Sequence, residues 1–275
     1  MTNSSHKLPH PPHTQPKNYH PDDSKNMGIL EHLGELRSRL IRALLAWLIL
    51  FFICWGFDKE LAQILLAPIR QALIAAGGNG KLITITLPEG FLAYLNVSFV
   101  ISLFLASPYL FYQFWAFASP GLKTAEKKAA LPFAIASAAL FCSGALFAYF
   151  VIFPLAFNFF IDYARDAASP EPSLRFYLNL ALNTLLAFGF AFQLPIGVFF
   201  LAKLGVLTPE MLAKKRKYAI VGAFIVGAIL TPPDTVSQIL MAIPLIGLYE
   251  LSILICKRIF KNTQSVRNKE STEGG

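Results

Sequence analysis

One acidic residue lies in an otherwise basic loop between two long apolar segments. Residues 119–128 have the sequence SPGLKTAEKK, so Glu126 is accompanied by Lys123, Lys127 and Lys128. Short loops of this charge normally face the cytoplasm in membrane proteins and are rich in Lys and Arg. A carboxylate among these cations, close to a membrane surface, favours chemistry in which it pairs with a positively charged partner.

More carboxylates lie in residues 29–42, which have the pattern of an amphipathic helix. The charged residues fall on one helix face: Glu31, Glu35, Arg39 and Arg42. The apolar residues fall on the opposite face: Ile29, Leu33, Leu36 and Leu40. We expect this helix to lie at the membrane interface or to lead into the first span. The acidic and basic residues also have the spacing for i,i+4 pairs, so a solvated, self-paired face stays an open alternative.

The composition predicts an all-α membrane protein. Of 275 residues, 55% are hydrophobic, 15% are charged and 25 are Phe, which is more apolar surface than a soluble domain of this size needs. Six transmembrane helices are predicted, at residues 40–57, 91–117, 131–155, 177–202, 218–231 and 235–256. The fifth and sixth are short against the roughly 20 residues that cross about 30 Å of hydrocarbon. A re-entrant hairpin at this position stays an open alternative.

Charge sorting predicts the orientation of these helices. Nineteen of the twenty-four Lys and Arg residues fall on alternate sides of the apolar segments. The positive-inside rule therefore places both termini in the cytoplasm. This sorting also explains the net charge of +8, because the basic residues form no single patch of the kind that binds nucleic acid.

The chain is expected to contain one membrane domain, residues 27–260, between two cytoplasmic tails. Residues 1–26 are polar and rich in Pro and His, which predicts a disordered tail, and residues 261–275 form the second tail. The four histidines of the first tail match no defined metal site. The loop at residues 58–90 contains an amphipathic stretch near residues 61–74 and a β-prone run at residues 82–87.

No catalytic, cofactor or metal site is predicted. The sequence contains no P-loop, no Gly-x-Ser-x-Gly and no His/Glu metal spacing, and the only histidine outside the tail is His32. Cys54, Cys142 and Cys256 all lie in apolar segments, where they are expected to be small buried residues without a disulfide framework. We expect no cleavable secretory signal, because the first apolar run begins near residue 40, after a long polar tail, and lacks a small-residue cleavage pattern. We therefore expect a protein that is not an enzyme.

Three polar residues lie in or beside the predicted spans. Gln193 lies ten residues before Lys203, at a depth of about 15 Å, and either satisfies a backbone group of its own or a neighbouring helix or faces a partner. Asp234 is placed to N-cap the sixth helix after two prolines. Glu250 is expected to reach the interface or to pair within the bundle.

Four ordered motifs resemble the TatC family, the core subunit of the twin-arginine protein translocase. They are EHLGELRSRL at residues 31–40, FASPGLKTAEK at 117–127, AYFVIFPLAF at 148–157, and LTPPD with SQ at 230–238. Together with the six predicted spans, they extend the resemblance over about residues 28–258. The resemblance implies a glove-like, concave bundle in the bacterial inner membrane, with short fifth and sixth helices.

The resemblance also implies a receptor for folded precursors whose signal peptides carry two adjacent arginines. In the family, the residues at Glu35 and Glu126 line the cytoplasmic site for that arginine pair. The other positions carried over are Arg37 and Phe117 at the site, Pro120 and Leu122 in the loop, Pro68 in the first outer loop, and Asp234 and Gln238. Implied partners are the single-span TatA- and TatB-type subunits and further copies of the chain, with transport driven by the proton-motive force.

One position departs from the family pattern. The family commonly has Glu where this chain has Gln193, in a polar patch that contacts partner helices. Glutamine keeps the hydrogen-bonding capacity and loses the charge, so a titrating carboxylate at this depth is not expected here.

Two other functions remain as alternatives. A small-solute transporter would need a substrate cavity with ion-coupling residues at mid-depth, where the chain offers Gln193, Asn179 and Asn183 but no acid on the fourth span. A scaffold protein would tolerate charge reversal at both Glu35 and Glu126.

Overall fold

The structure, a computed structural model, describes residues 21–118, 130–165, 172–231 and 234–273. Side chains are described for residues 33–118, 130–163, 172–231 and 234–261. Within these ranges the backbone is nearly all helical, and the only β-pairing is an isolated parallel bridge between Ile83 and Ser173. The prediction of an all-α fold is confirmed.

Ten α-helices follow one another along the part of the chain that the structure describes. They are α1 (Pro21–Trp55), α2 (Asp58–Ala75), α3 (Glu89–Ala118), α4 (Ala130–Phe147), α5 (Phe153–Arg165), α6 (Leu174–Ala191), α7 (Leu194–Lys203), α8 (Pro209–Lys214), α9 (Arg216–Leu230) and α10 (Thr235–Glu273). The chain divides into two units, Met1–Ser38 and Arg39–Gly275. The first unit contains the beginning of α1, and the second contains the rest of the described helices.

Five segments of the described residues are long and apolar enough to cross a membrane. They are Leu33–Trp55, Glu89–Ala118, Ala130–Tyr163, Leu174–Lys203 and Thr235–Lys261. Helix α9 covers the fifth predicted span, but its fifteen residues extend only about 22 Å. Helix α10 begins at Thr235, at the predicted start of the sixth span, and continues to Glu273. The chain is therefore a multi-pass membrane protein, and a full crossing by α9 stays a prediction.

The third span consists of α4 and α5 with a π-helical turn, Ala148–Ile152, between them. Pro154 lies just after this turn and has no N–H to donate to the carbonyl of Phe150, four residues earlier. The backbone responds with a wider turn, in which the N–H of Phe153 donates to the carbonyl of Ala148. Such π-turns are rare and frequently occur at functional sites.

Helices α3, α4 and α6 pack together at the centre of the second unit. The closest approach is between α4 and α6, where a Cβ on Gly144 would collide with the backbone carbonyl of Phe188. Gly189 is equally constrained, because a Cβ there would lie 2.8 Å from the Phe141 ring. Small residues allow the backbones of two helices to approach this closely, as is common between helices in membranes.

The remaining helices of the second unit surround this centre. Helix α2 packs against α3 and α5, and α10 packs against α7 and α9. Cys54 and Cys256 are buried and Cys142 is half-buried, and all three are free thiols. The two ends of the helices differ in charge. We call the end with Lys203, Lys214, Lys215 and Lys257 the basic end. The opposite end carries Glu89, and we call it the clasp end because the carboxylate of Glu89 holds two connections together there.

Candidate functional site

Three of the six residues predicted to form the site for the arginine pair, which we call the docking site, lie outside the described residues. Glu126, Pro120 and Leu122 belong to residues 119–129, which the structure does not describe. The predicted pairing of Glu126 with Glu35 at one site therefore stays a prediction. That Pro120 and Leu122 shape the loop also stays a prediction.

The described part of the predicted docking site lies on α1 and at the end of α3. Glu35 is half-buried, and Arg37 is exposed, as is Leu33 with 54% of its surface accessible. An exposed leucine beside charged residues fits an amphipathic helix at a membrane surface. Phe117 is half-buried and lies one residue before the end of α3, directly before the basic loop.

An apolar groove runs between α3, α4, α6 and α7 and contains a cavity of about 620 Å³. Its walls are mostly aromatic and aliphatic, and its residues include Leu103, Leu110, Phe111, Phe114, Phe190 and Phe200. Three polar side chains also line it: Ser107, Ser137 and Gln193. We call this cavity and its walls the Gln193 groove. An apolar cleft with few polar groups suits a hydrophobic helix or peptide better than a polar solute.

Gln193 is anchored to a neighbouring helix. It lies at the break between α6 and α7, and its side-chain Nε2 donates to the backbone carbonyl of Ser137 on α4, at 3.0 Å. The hydroxyl of Ser137 in turn accepts a hydrogen bond from Nε1 of Trp115 on α3, at 2.7 Å. Of the alternatives that the sequence left open, the bond to a neighbouring helix is present, and Gln193 also lines the groove.

The connection between α9 and α10 carries a second polar cluster. Asp234 caps α10 as predicted, since its Oδ1 accepts from the N–H of Ser237 at 2.7 Å. Gln238 donates through Nε2 to the carbonyl of Phe224 at 3.0 Å and so joins the two helices. Within the described residues, Asp234 Oδ2 and Ser237 Oγ are buried without a hydrogen-bond partner. Buried polar atoms in folded proteins are usually paired with protein groups or with ordered water.

Glu250 pairs within the bundle, which decides between the two alternatives considered for it. Its carboxylate accepts hydrogen bonds from both Nε and Nη2 of Arg216, each at 2.8 Å, in a bidentate ion pair between α10 and α9. Both side chains are more than 40% exposed, so the pair contributes about 1 kcal/mol or less to stability.

Pro68 lies inside α2 and frees one backbone carbonyl, and two tyrosines donate to carbonyls in this turn of the helix. A proline has no N–H for the carbonyl four residues earlier, which here is that of Ile64. The hydroxyl of Tyr149, in the π-turn, donates to the Ile64 carbonyl at 2.8 Å. The hydroxyl of Tyr177, on α6, donates to the neighbouring Leu65 carbonyl at 2.6 Å. Pro68 therefore frees the Ile64 carbonyl that Tyr149 satisfies, and this bond and the Tyr177–Leu65 bond fix α2 to the third and fourth spans.

Replacing Tyr177 by Phe is expected to lower the free energy of unfolding by about 1–2 kcal/mol, because Tyr177 is only 3% exposed and the change removes the buried hydrogen bond from its hydroxyl to the Leu65 carbonyl. Tyr149→Phe should lower the free energy of unfolding less in a Pro68→Ala background than in the parent protein. The alanine at position 68 supplies an N–H for the Ile64 carbonyl, so this carbonyl no longer depends on Tyr149. Thermal unfolding of the four proteins in this cycle measures the coupling. Tyr163→Phe, at a 78% exposed tyrosine, is the control. If Tyr149→Phe lowered the free energy of unfolding equally in both backgrounds, Tyr149 would not be compensating for the N–H that Pro68 lacks.

The sequence alone raised no expectation for Glu89, a buried acid with several hydrogen bonds. It is the first residue of α3, it is 2% exposed, and its carboxylate accepts four hydrogen bonds. Oε2 accepts from the N–H groups of Ile85 and Thr86, at 2.6 and 3.1 Å. Oε1 accepts from the hydroxyl of Ser173 and the N–H of Arg175, at 2.8 and 3.1 Å. We call this set the Glu89 clasp.

The Glu89 clasp joins the two connections at one end of the bundle. Beside it, the N–H of Ile83 donates to the carbonyl of Pro172, and the N–H of Leu174 donates to the carbonyl of Ile83. Ser173 also caps α6. A signal was present in the sequence, since an acid at the first position of an apolar helix is a typical N-terminal residue. Two of its partners, Ser173 and Arg175, lie 84 and 86 residues away along the chain and had no signal of their own.

The described residues hold no group of three or more His, Cys, Asp or Glu side chains placed to bind a metal ion. The polar side chains of the Gln193 groove are an amide and two serines, and they include no base that would activate a serine. What this part of the molecule offers is an apolar groove between helices with a few hydrogen-bonding groups.

Comparison with known proteins agrees with this class of multi-pass helical membrane protein. The family model "Sec-independent protein translocase protein (TatC)" matches residues 31–244. The TatC proteins of Desulforapulum autotrophicum and Aquifex aeolicus are 47% and 41% identical to the chain. The alignments cover 88% of the chain in both cases, and 88% and 99% of the respective relatives. The TatC of Escherichia coli is 35% identical over 83% of the chain and 88% of its own length.

A solved structure described as "Crystal Structure of Twin Arginine Translocase Receptor- TatC" has the same fold. Its TM-score is 0.74 at 43% identity, and the match covers 82% of this chain and 98% of that one. The chain belongs to the TatC family, as its motifs had indicated. It is a component of a Sec-independent protein translocase and not an enzyme.

Proposed function

We propose that the chain is the signal-peptide receptor of a twin-arginine translocase. Glu35 on α1 and Glu126 in the basic loop together bind the paired arginines of a precursor's signal peptide at the cytoplasmic face. Arg37 and Phe117 border this site, and Pro120 and Leu122 set the course of the loop. The protein resides in the bacterial inner membrane with both termini in the cytoplasm.

The observation that carries this proposal is the match to a solved TatC structure described as a twin arginine translocase receptor. At 43% identity over 82% of the chain, a shared mode of recognition is the simplest expectation. The position of Phe117 supports it, because α3 ends one residue later and leads directly into the loop that contains Glu126.

The physical basis is the match between guanidinium and carboxylate groups. Arginine is permanently charged and presents a planar fork that suits a carboxylate, which lysine does not. Two carboxylates from different segments each take one guanidinium, so the site recognises a pair of arginines. At a partly solvated membrane interface, each contact is worth about 1–3 kcal/mol.

The apolar part of the signal peptide and the partner subunits would then occupy the membrane-embedded surfaces. The Gln193 groove suits a hydrophobic helix, and Asp234 and Gln238 form a polar cluster at the connection between α9 and α10. We assign these surfaces to single-span TatA- and TatB-type helices, with further copies of the chain in the assembled complex. Export of folded proteins draws on the proton-motive force, and Gln193 itself carries no proton in this scheme.

A site-specific crosslink tests the receptor proposal. A photoreactive residue at position 126 should capture a precursor with two arginines in its signal peptide. It should capture the same precursor several-fold less well when both arginines are replaced by lysine. Lysine keeps the charge and loses the planar fork. The yield of crosslinked precursor in membrane vesicles is the measurement.

The matched control is the same photoreactive residue at position 210. Glu210 is an exposed acid on α8, also at the basic end of the bundle. Capture from position 210 should be weak and equal for both precursors. If position 126 captured both precursors equally well, the proposed arginine-pair site would be wrong.

A further inference from the structure

We propose that three asparagines at the clasp end of the Gln193 groove form a recognition site for a polar side chain on a partner's transmembrane helix. They are Asn96 on α3 and Asn179 and Asn183 on α6. The partner helix seats in the groove and places an Asn, Gln or Ser of its own opposite them. The inference rests on the proposed function only in taking the partner to be a single-span helix.

The asparagines lie on the same helix faces as the groove. On α3, Asn96 is followed at spacings of seven, four, three and four by Leu103, Ser107, Leu110 and Phe114, which all line the cavity. Such spacings keep residues on one face of a helix. The groove wall of α3 therefore continues past its apolar part and ends at Asn96.

The same holds for α6, on the other side of the groove. Asn179, Asn183, Leu186 and Phe190 follow one another at spacings of four, three and four, and Phe190 lines the cavity. The two walls converge at their polar ends, where Nδ2 of Asn96 donates to Oδ1 of Asn179 at 3.2 Å. One continuous surface thus changes from apolar to amide along its length.

These amides are accessible and mostly unsatisfied. Asn96 and Asn183 are exposed, and Asn179 is half-buried. The Asn96–Asn179 bond uses one donor and one acceptor of the eight that two asparagines offer. Asn183 makes no hydrogen bond through its side chain to the part of the chain that the structure describes. The cluster therefore has both donors and acceptors free for a partner.

The depth of the asparagines explains why a partner is needed. If each span is centred in the membrane, Asn96 lies about 11 Å and Asn183 about 8 Å from the middle, inside a half-thickness of about 15 Å. Hydrocarbon offers no hydrogen bonds, so polar side chains at such depths usually face another helix or water. A lipid chain would cover the apolar part of the groove and leave the asparagines unpaired.

The length of the surface fits one membrane-spanning helix. From Asn96 to Phe114 the wall of α3 extends about 27 Å, close to the thickness of the hydrocarbon layer. An occupant that fills the apolar part and reaches the asparagines is therefore a single helix with one hydrogen-bonding residue in its clasp-end third. Polar side chains are known to join helices in membranes in this way.

A set of synthetic helices tests the proposal with the full-length protein in lipid vesicles. The probes are 21-residue Leu/Ala transmembrane peptides with one Asn at the fifth position, one Asn at the eleventh position, or no Asn. A photoreactive residue at position 103, on the apolar wall, reports seating in the groove. We expect the peptide with Asn at position five to be captured at roughly five-fold lower concentration than the other two.

Substitutions in the chain identify the responsible residues. Asn183→Leu and Asn96→Leu should remove this preference and leave capture of the peptide without Asn unchanged. That unchanged capture also shows that the variants are folded. Asn183→Leu alone is sufficient to test the recognition site, because this substitution removes no hydrogen bond within the described residues. The matched control is Asn158→Leu, at an exposed asparagine on α5 beside Pro68, which should keep the preference.

The outcomes separate this inference from the receptor proposal. Equal capture of all three peptides by the parent protein, or a preference that survives both asparagine substitutions, would overturn the recognition site. Failure to capture any peptide would overturn docking in the groove altogether. None of the peptides carries paired arginines, so each of these results leaves the arginine-pair site to its own crosslinking test.

Discussion

Replacing Glu126 by lysine is expected to weaken binding of a twin-arginine signal peptide by about 10- to 100-fold. The substitution removes an attraction worth about 1–3 kcal/mol and adds a repulsion, and each 1.4 kcal/mol corresponds to about a tenfold change in the dissociation constant. The measurement is the affinity of a fluorescent signal peptide for the protein in vesicles, at low salt, where interfacial charges are least screened.

Glu35→Lys should have a similar effect, because the proposed site uses one carboxylate for each arginine. The double variant, Glu35→Lys with Glu126→Lys, should regain binding to a signal peptide whose two arginines are replaced by glutamate. Such a regain would show that the two positions contact the peptide directly. The unfolding temperature of each single variant, compared with that of the parent, separates a loss of binding from a loss of stability.

The control for charge reversal is Glu210→Lys. Glu210 is an exposed carboxylate at the same end of the bundle, so its reversal changes the net charge by the same amount. The affinity of Glu210→Lys for the signal peptide should stay within about twofold of the parent's, because Glu210 is not one of the two carboxylates proposed to contact the arginine pair. If Glu210→Lys weakened binding as much as Glu126→Lys, general electrostatics would explain the effect and the paired site would be refuted.

Replacing Glu89 by glutamine is expected to open the Glu89 clasp. Both carboxylate oxygens accept two hydrogen bonds each, and an amide supplies only one oxygen, so an NH2 group would face two donors. We expect the unfolding temperature to fall by about 5 °C or more. Amide hydrogen exchange should also become faster at Ile85, Thr86 and Arg175, whose N–H groups donate to the carboxylate.

Glu60→Gln provides the comparison for this second prediction. Glu60 is an exposed acid in the first turn of α2, in the same connection between the first two spans. Its substitution should change the unfolding temperature by no more than about 1–2 °C. Unchanged exchange at the three donor amides in Glu89→Gln would refute the clasp, even if the protein were less stable.

Much of the fold followed from local properties of the sequence. Runs of apolar residues predicted the spans, because a segment that crosses hydrocarbon must satisfy its backbone within its own helix. The cap at Asp234 was predicted in the same way, since its partner, the N–H of Ser237, is only three residues away. The resemblance to the family implied that Pro68 matters without giving the reason.

The candidate site was predictable only in part. Gln193 was recognised as unusual from its depth, but its partner on Ser137 lies 56 residues away. The long outer connection at residues 58–90 was expected to include an amphipathic stretch, and α2 lies there. The role of Pro68 became clear only from Tyr149 and Tyr177, which lie 85 and 112 residues from the carbonyls they satisfy.

The sequence by itself determined the class of this protein: a helical, multi-pass TatC protein with its charges sorted between the ends of its spans. Those properties depend on composition and on short-range spacing, which a linear chain displays directly. Only the tertiary structure decided which helices are fixed to each other through Glu89, Tyr149, Tyr177 and Gln193. Each of these side chains binds a backbone group on a distant segment, and because every residue has such groups, no residue type marks the partner in advance.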